Sequence, residues 1–99
     1  MNEQIKKNIP IELIDLRQQI DQVNQDIIRL IAKRMDLVRG VARVKKETGF
    51  SQFDPDREAK IITTVKQLAV DNNLDPDLTE VIFCKLIEGA HEEESKIIN

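Results

Sequence analysis

The chain has 99 residues, of which 40% are hydrophobic, 33% charged and 3% aromatic, and its formal net charge is -3 at pH 7. That length fits one domain, buries only about 65% of the surface of its unfolded form, and excludes a large multidomain enzyme. Three Gly, three Pro and no Trp or Tyr predict long elements with few turns, which argues against an all-β sandwich, while net acidity with three Phe excludes a general nucleic-acid binder built on base stacking.

Residues 1–10 form an N-terminal extension without the apolar stretch of a secretory signal. No run of about 18 apolar residues spans a membrane. With one cysteine, Cys84, there is no internal disulfide framework, so the expectation is a soluble, reduced, cytoplasmic protein. Pro10 stands just before an apolar-periodic run, and one long helix is predicted over residues 11–47. Its seam, Leu16, Ile20, Val23, Ile27, Leu30, position 34, Leu37, Val41 and Val44, alternates steps of four and three, the spacing of a helix packed along its length. Position 34 is an arginine. The connector from Thr48 to Phe53 leads to Asp54-Pro55, an N-cap followed by proline at the first helical position, and predicts a second helix over residues 55–71 with Ile61, Ile62, Val65, Leu68 and Ala69 inward. Asp71-Asn72-Asn73-Leu74 breaks it, and Asp75-Pro76 repeats the same device for a third helix over residues 76–97, with Leu78, Val81, Ile82, Leu86, Ile87 and Ala90 inward.

The fold class is therefore all-α, with one long and two shorter helices. At ~1.5 Å per residue the first helix is about 54 Å long, whereas a compact chain of this size has a radius of gyration of about 13 Å. Two shorter helices do not cover it. An antiparallel homodimer does, each protomer covering the other's seam; an elongated monomer would leave a large apolar stripe in water.

Between Arg29 and Lys46 seven cations stand against one acid, Asp36. Arg29, Lys33, Arg39, Arg43 and Lys46 read as a solvated helix face. Arg34 differs, because a guanidinium in an apolar seam must lose water, which costs several kcal/mol unless an anion compensates. Lys45 follows eleven residues later, three turns to within about 20°, so the two cations share a face about 16 Å apart and can bracket a small anion. Arg17 lies about 25 Å from Arg34 along the helix. It is either a surface arginine or, in an antiparallel dimer, a group that reaches the partner's site.

On the third helix Phe83, Ile87, Ala90 and Glu94 follow one face, which puts a carboxyl on an apolar line. Burial there favours the neutral acid, a hydrogen-bond donor; a frayed helix end would leave Glu92, Glu93 and Glu94 solvated instead. Asp54, Arg57 and Glu58 read individually as cap and first-turn charges. Glu88 and His91 have a spacing used in di-iron bundles, but further inward carboxylates are missing and His91 reads as a partly exposed helix residue. Cys84, flanked by Ile82, Phe83 and Leu86, reads as a buried core thiol. No metal site is predicted.

The set Arg17, Arg34, Lys45, Asp54, Arg57, Glu58 and Glu94, within Leu16-Arg17-Gln18-Gln19-Ile20-Asp21, Lys33-Arg34-Met35 and Phe53-Asp54-Pro55-Asp56-Arg57-Glu58, resembles the all-helical chorismate mutase family over about Leu16 to Ser95. The resemblance implies an intertwined homodimer with two cofactor-free active sites that rearrange chorismate to prephenate, on the route to phenylalanine and tyrosine. By that analogy Arg34 and the partner's Arg17 hold the substrate carboxylates, and Lys45 and Glu94 face the ether oxygen. Glu58 and the Asp54 backbone meet the ring hydroxyl, and Arg57 supports the site electrostatically. Two positions depart from the commonest pattern: Ala90 replaces a serine, removing one hydroxyl contact, and Glu94 replaces a glutamine. Relatives of the same fold act as 4-amino-4-deoxychorismate mutase or isochorismate pyruvate lyase, and the Asp54 to Glu58 block favours the mutase over the lyase. A helical binding module whose basic stretch docks an acidic protein or RNA is the reading from a different class.

Overall fold

The computed structural model describes residues 8–99; the predicted extension over residues 1–10 therefore falls largely outside them. Three helices follow in order: α1 over Ile11–Thr48, α2 over Pro55–Asp71 and α3 over Pro76–Ile98. There is no strand among the described residues. The helix starts match the sequence expectations because capping chemistry is local. Asp54 accepts from the Arg57 amide at 3.2 Å and Asp75 from the Asp77 amide at 2.9 Å, each ahead of a proline that lacks the amide hydrogen a first turn leaves unpaired.

The ends lie one residue beyond the predicted limits for α1 and α3. At Gly49 φ is +74°, and its amide donates to the Lys45 carbonyl at 2.9 Å, so the chain leaves α1 in the left-handed region that a side chain would strain. Asn73 plays that part after α2, with φ of +57°. Its amide reaches Val70 at 3.2 Å while Leu74 reaches Ala69 at 2.8 Å, the paired bonds that close a helix end.

The chain divides into two compact units, Met1–Arg34 and Met35–Asn99. Within the first, residues 11–34 are helical, and Leu16, Ile20, Val23, Ile27 and Leu30 are all exposed. Within the second, α2 packs on α3, and Lys66 of α2 meets Glu80 of α3 at 2.8 Å. That carboxylate, as hydrogen-bond partner and then as charge, raises the Lys66 pKa. The apolar residues buried here are small or few: Ala42, Ala69, Ile87 and Ala90.

Several predicted core faces are accordingly not covered by their own chain. Leu68, Leu78, Val81 and Ile82 are exposed, as are Leu37, Val41 and Val44. The eight apolar seam residues of α1 have exposures between 47% and 66%. Among the described residues no large side chain is fully buried. No helix of the described residues is long and apolar enough to cross a membrane.

Candidate functional site

The site is assembled in the second unit, where the last turn of α1, the connector after it, the first turn of α2 and the C-terminal half of α3 meet. Glu94 is buried, as is Ala90 one turn before it. Its Oε1 accepts from Lys45 Nζ at 2.8 Å, and the two side chains are 8% and 14% exposed. A second bond at 2.6 Å runs from Lys45 Nζ to the Gln52 carbonyl. The ammonium is therefore fixed from two sides, by a carboxylate on α3 and by the backbone of the connector. The apolar line on α3 suggested a neutral acid, yet the residue facing Glu94 is a cation from another helix, and periodicity on α3 carries no information about it.

Gln52 closes the connector onto α3. Its amide donates to the His91 carbonyl at 3.1 Å and to Ser95 Oγ at 3.0 Å. Sequence reasoning passed over this residue, because a polar side chain in a short connector has no signal that separates a docked amide from a solvated one. His91 is the partly exposed helix residue that was expected, with partners that its sequence position does not reveal. Its Nε2 lies 3.0 Å from Glu58 Oε2, and the ring of Phe53 stands edge-on to the imidazole at 5.0 Å and 85°.

Asp54 and Glu58 are half-buried at the start of α2, while Arg57 next to them is exposed. An open pocket of about 350 Å³ borders Glu58, Ile62, Ile87 and His91. Cys84 also lines it and is exposed, which corrects the expectation of a buried core thiol: a flank of apolar neighbours in sequence does not face the same way on a helix. An apolar groove of about 640 Å³ follows Val41, Val44 and Phe50 as far as Lys45. Arg17 and Arg34 belong to the first unit, Arg17 exposed and Arg34 half-buried.

The three consecutive glutamates of α3 have separate fates, so the solvated-end reading holds only for Glu92, which is exposed. Glu93 Oε1 accepts from Arg39 Nε at 2.9 Å, and Arg39 also reaches Asp36 at 2.7 Å. Arg39 therefore departs from the solvated face on which it was placed. The Arg39 hydrogen bond holds the Glu93 carboxyl below its ordinary pKa, against the opposing effect of lost water. Among the described residues no group of three or more His, Cys, Asp or Glu is placed to hold a metal ion.

The family model for chorismate mutase type II matches residues 16–95, which takes in every element of this arrangement. The chain belongs to the type II chorismate mutase family. It is similar to the chorismate mutase of Methanocaldococcus jannaschii, with 35% identity covering 78% of each chain. It is 33% identical to the T-protein of Enterobacter agglomerans over 85% of this chain, a match that spans only 22% of that longer protein. A third relative is the isochorismate pyruvate lyase of Pseudomonas aeruginosa, 30% identical over 85% of this chain and 82% of the lyase. The similar proteins thus carry the names of more than one reaction.

Proposed function

We propose that this protein is a cytoplasmic chorismate mutase that converts chorismate to prephenate by an intramolecular Claisen rearrangement. The observation that carries the reading is the half-buried ammonium of Lys45, fixed by Glu94 and the Gln52 carbonyl inside a chain whose family match covers residues 16–95. The reaction needs no covalent intermediate. The ether C–O bond breaks as a C–C bond forms between the enolpyruvyl arm and the ring, and negative charge gathers on the ether oxygen. Catalysis then consists of holding the reactive conformer and placing donors at that oxygen.

Lys45 is suited to this because its bond to the Gln52 carbonyl keeps the ammonium aimed while its other donors turn to substrate. Glu94 contributes only as the neutral acid, since an ionised carboxylate opposes the developing charge. Substrate entry therefore replaces the Lys45–Glu94 contact. Arg34 and Arg17 bind the two substrate carboxylates, Glu58 and the Asp54 backbone receive the ring hydroxyl, and Arg57 adds positive potential. Ala90 supplies surface but no hydrogen bond, so the substrate loses the contact a serine would make.

The active form is an intertwined homodimer. The support is the α1 seam: apolar at eight positions and exposed at all of them, where burial is worth about 1.5–3 kcal/mol for each large side chain. Antiparallel pairing covers this seam and brings Arg17 of one protomer to the site of its partner.

The test is turnover of purified protein with chorismate between pH 5 and pH 8, following prephenate. Prephenate formation is the expected result. The lyase is kept as a second reading because that relative matches nearly end to end; pyruvate release from isochorismate without prephenate formation would overturn the mutase.

A further inference from the structure

We propose that His91 is a specificity-determining residue of this site. By engaging Oε2 of the Glu58 carboxylate, it leaves Oε1 as the unengaged oxygen for the substituent on the substrate ring and favours a hydroxyl over an ammonium there. The inference rests on the reading of Glu58 as the group that meets this substituent.

Glu58 and His91 come from different helices, and each is about one-third exposed, 33% and 30%. They are therefore reachable by a ligand while still partly shielded from water. The contact at 3.0 Å joins His91 Nε2 to Glu58 Oε2. Because an ionised carboxylate only accepts, Nε2 is assigned as the donor. Phe53 holds the imidazole plane from the side, edge-on at 5.0 Å. The Gln52 amide ties down the backbone carbonyl of the same residue at 3.1 Å. His91 is thus fixed at both ends. Among the described residues Glu58 Oε1 has no protein donor, so it is the oxygen left for a ligand.

A hydroxyl carries one hydrogen and is satisfied by one acceptor. An ammonium carries three, and its lost hydration is offset only by a carboxylate with most of its charge and both oxygens available. The imidazole donor takes one oxygen and part of that charge. If the ring is protonated it also repels a cation. Both effects act against an amino substituent, and neither acts against a hydroxyl to the same degree.

The experiment compares the wild type with His91→Leu and His91→Gln. The readouts are KM and kcat for chorismate, and the competitive inhibition constant of 4-amino-4-deoxychorismate. His91→Leu should shift the ratio of these two binding constants about fivefold toward the amino compound, the factor that one hydrogen bond sets. The change in kcat should be small, because the contact is remote from the breaking bond. His91→Gln, whose amide can donate from nearly the same place, should restore the ratio. Equal changes in both constants, or no change, would mean that His91 merely supports the fold and would overturn the proposal. Should the leucine variant fail to fold, His91→Asn gives the same readout, because its shorter amide does not reach Oε2. Glu58→Gln separates the two levels of inference. If it leaves both constants unchanged, the reading of Glu58 is wrong and this proposal falls with it; if it alters them while the His91 variants leave the ratio alone, only this proposal fails.

Discussion

The two units of the chain use the same helix chemistry to opposite ends. The first carries the most regular pattern in the sequence, an a/d seam from Leu16 to Leu30, and all its seam residues are exposed. The second has less regular helices, yet it sets a half-buried lysine against a buried glutamate and ties its connector to α3 through Gln52. Regular periodicity marks a surface made for another helix, and irregular polar positions mark where a site is built. An exposed seam and a buried ion pair are each costly when left alone. In this reading the dimer removes the first cost and the substrate makes use of the second.

The largest effect expected from breaking that division is at the arginines of the first unit. Arg17→Ala and Arg34→Ala should each lower kcat/KM on the order of a thousandfold, the usual loss when a clamp on a charged group is removed. Mixed and refolded together, the two inactive chains should regain about a quarter of wild-type turnover. Half of the dimers are then mixed, and one of their two sites has both arginines. No recovery on mixing would place both arginines in one protomer's site and refute the exchange.

Next is the seam itself. Ile27→Glu should dissociate the dimer and cost at least about 4 kcal/mol over two protomers, read by sedimentation and thermal melting. Lys60→Gln on α2, also exposed, should change neither. A smaller effect is expected at the ion pair of the second unit. Glu94→Gln removes the partner of the Lys45 ammonium while keeping a donor at that place, and should change kcat by less than the arginine variants do, measured at one fixed pH. An unchanged kcat would remove Glu94 from the reaction.

The smallest effect concerns Arg39 and Glu93. The carboxyl of Glu93 is held below its ordinary value by the Arg39 hydrogen bond, so its stabilising contribution is complete above the unfolded value of about 4.3 and disappears as the pH falls through the lowered one. Arg39→Met should therefore weaken the fold at neutral pH and reduce the additional loss seen on acidification, measured by denaturant melts at pH 7 and at pH 3.

Much of the fold was legible because the signals are local. Asp-Pro starts, the left-handed Gly49 and the Asn72-Asn73 break each act within a few residues of themselves, and a continuous seam has no reading other than a long helix. The site was legible in part. Lys45 stood out by its spacing from Arg34 and Glu94 as a charge on an apolar line, but their meeting was not visible, because forty-nine residues separate them. Arg39 looked like any solvated arginine until Glu93 was placed beside it. Cys84 looked buried because its neighbours in sequence are apolar, although neighbours in sequence on a helix point about 100° apart.

The sequence by itself determined three helices, their caps, an apolar seam too long for the chain to cover, and the family to which these residues conform. Only the tertiary structure decided which charges are partners: Lys45 with Glu94, Arg39 with Glu93, and Glu58 with His91. The reason is physical. Caps and periodicity arise from hydrogen bonds and side-chain directions within a few residues, whereas an ion pair between helices depends on their rotation and register, which are set by packing along their whole length.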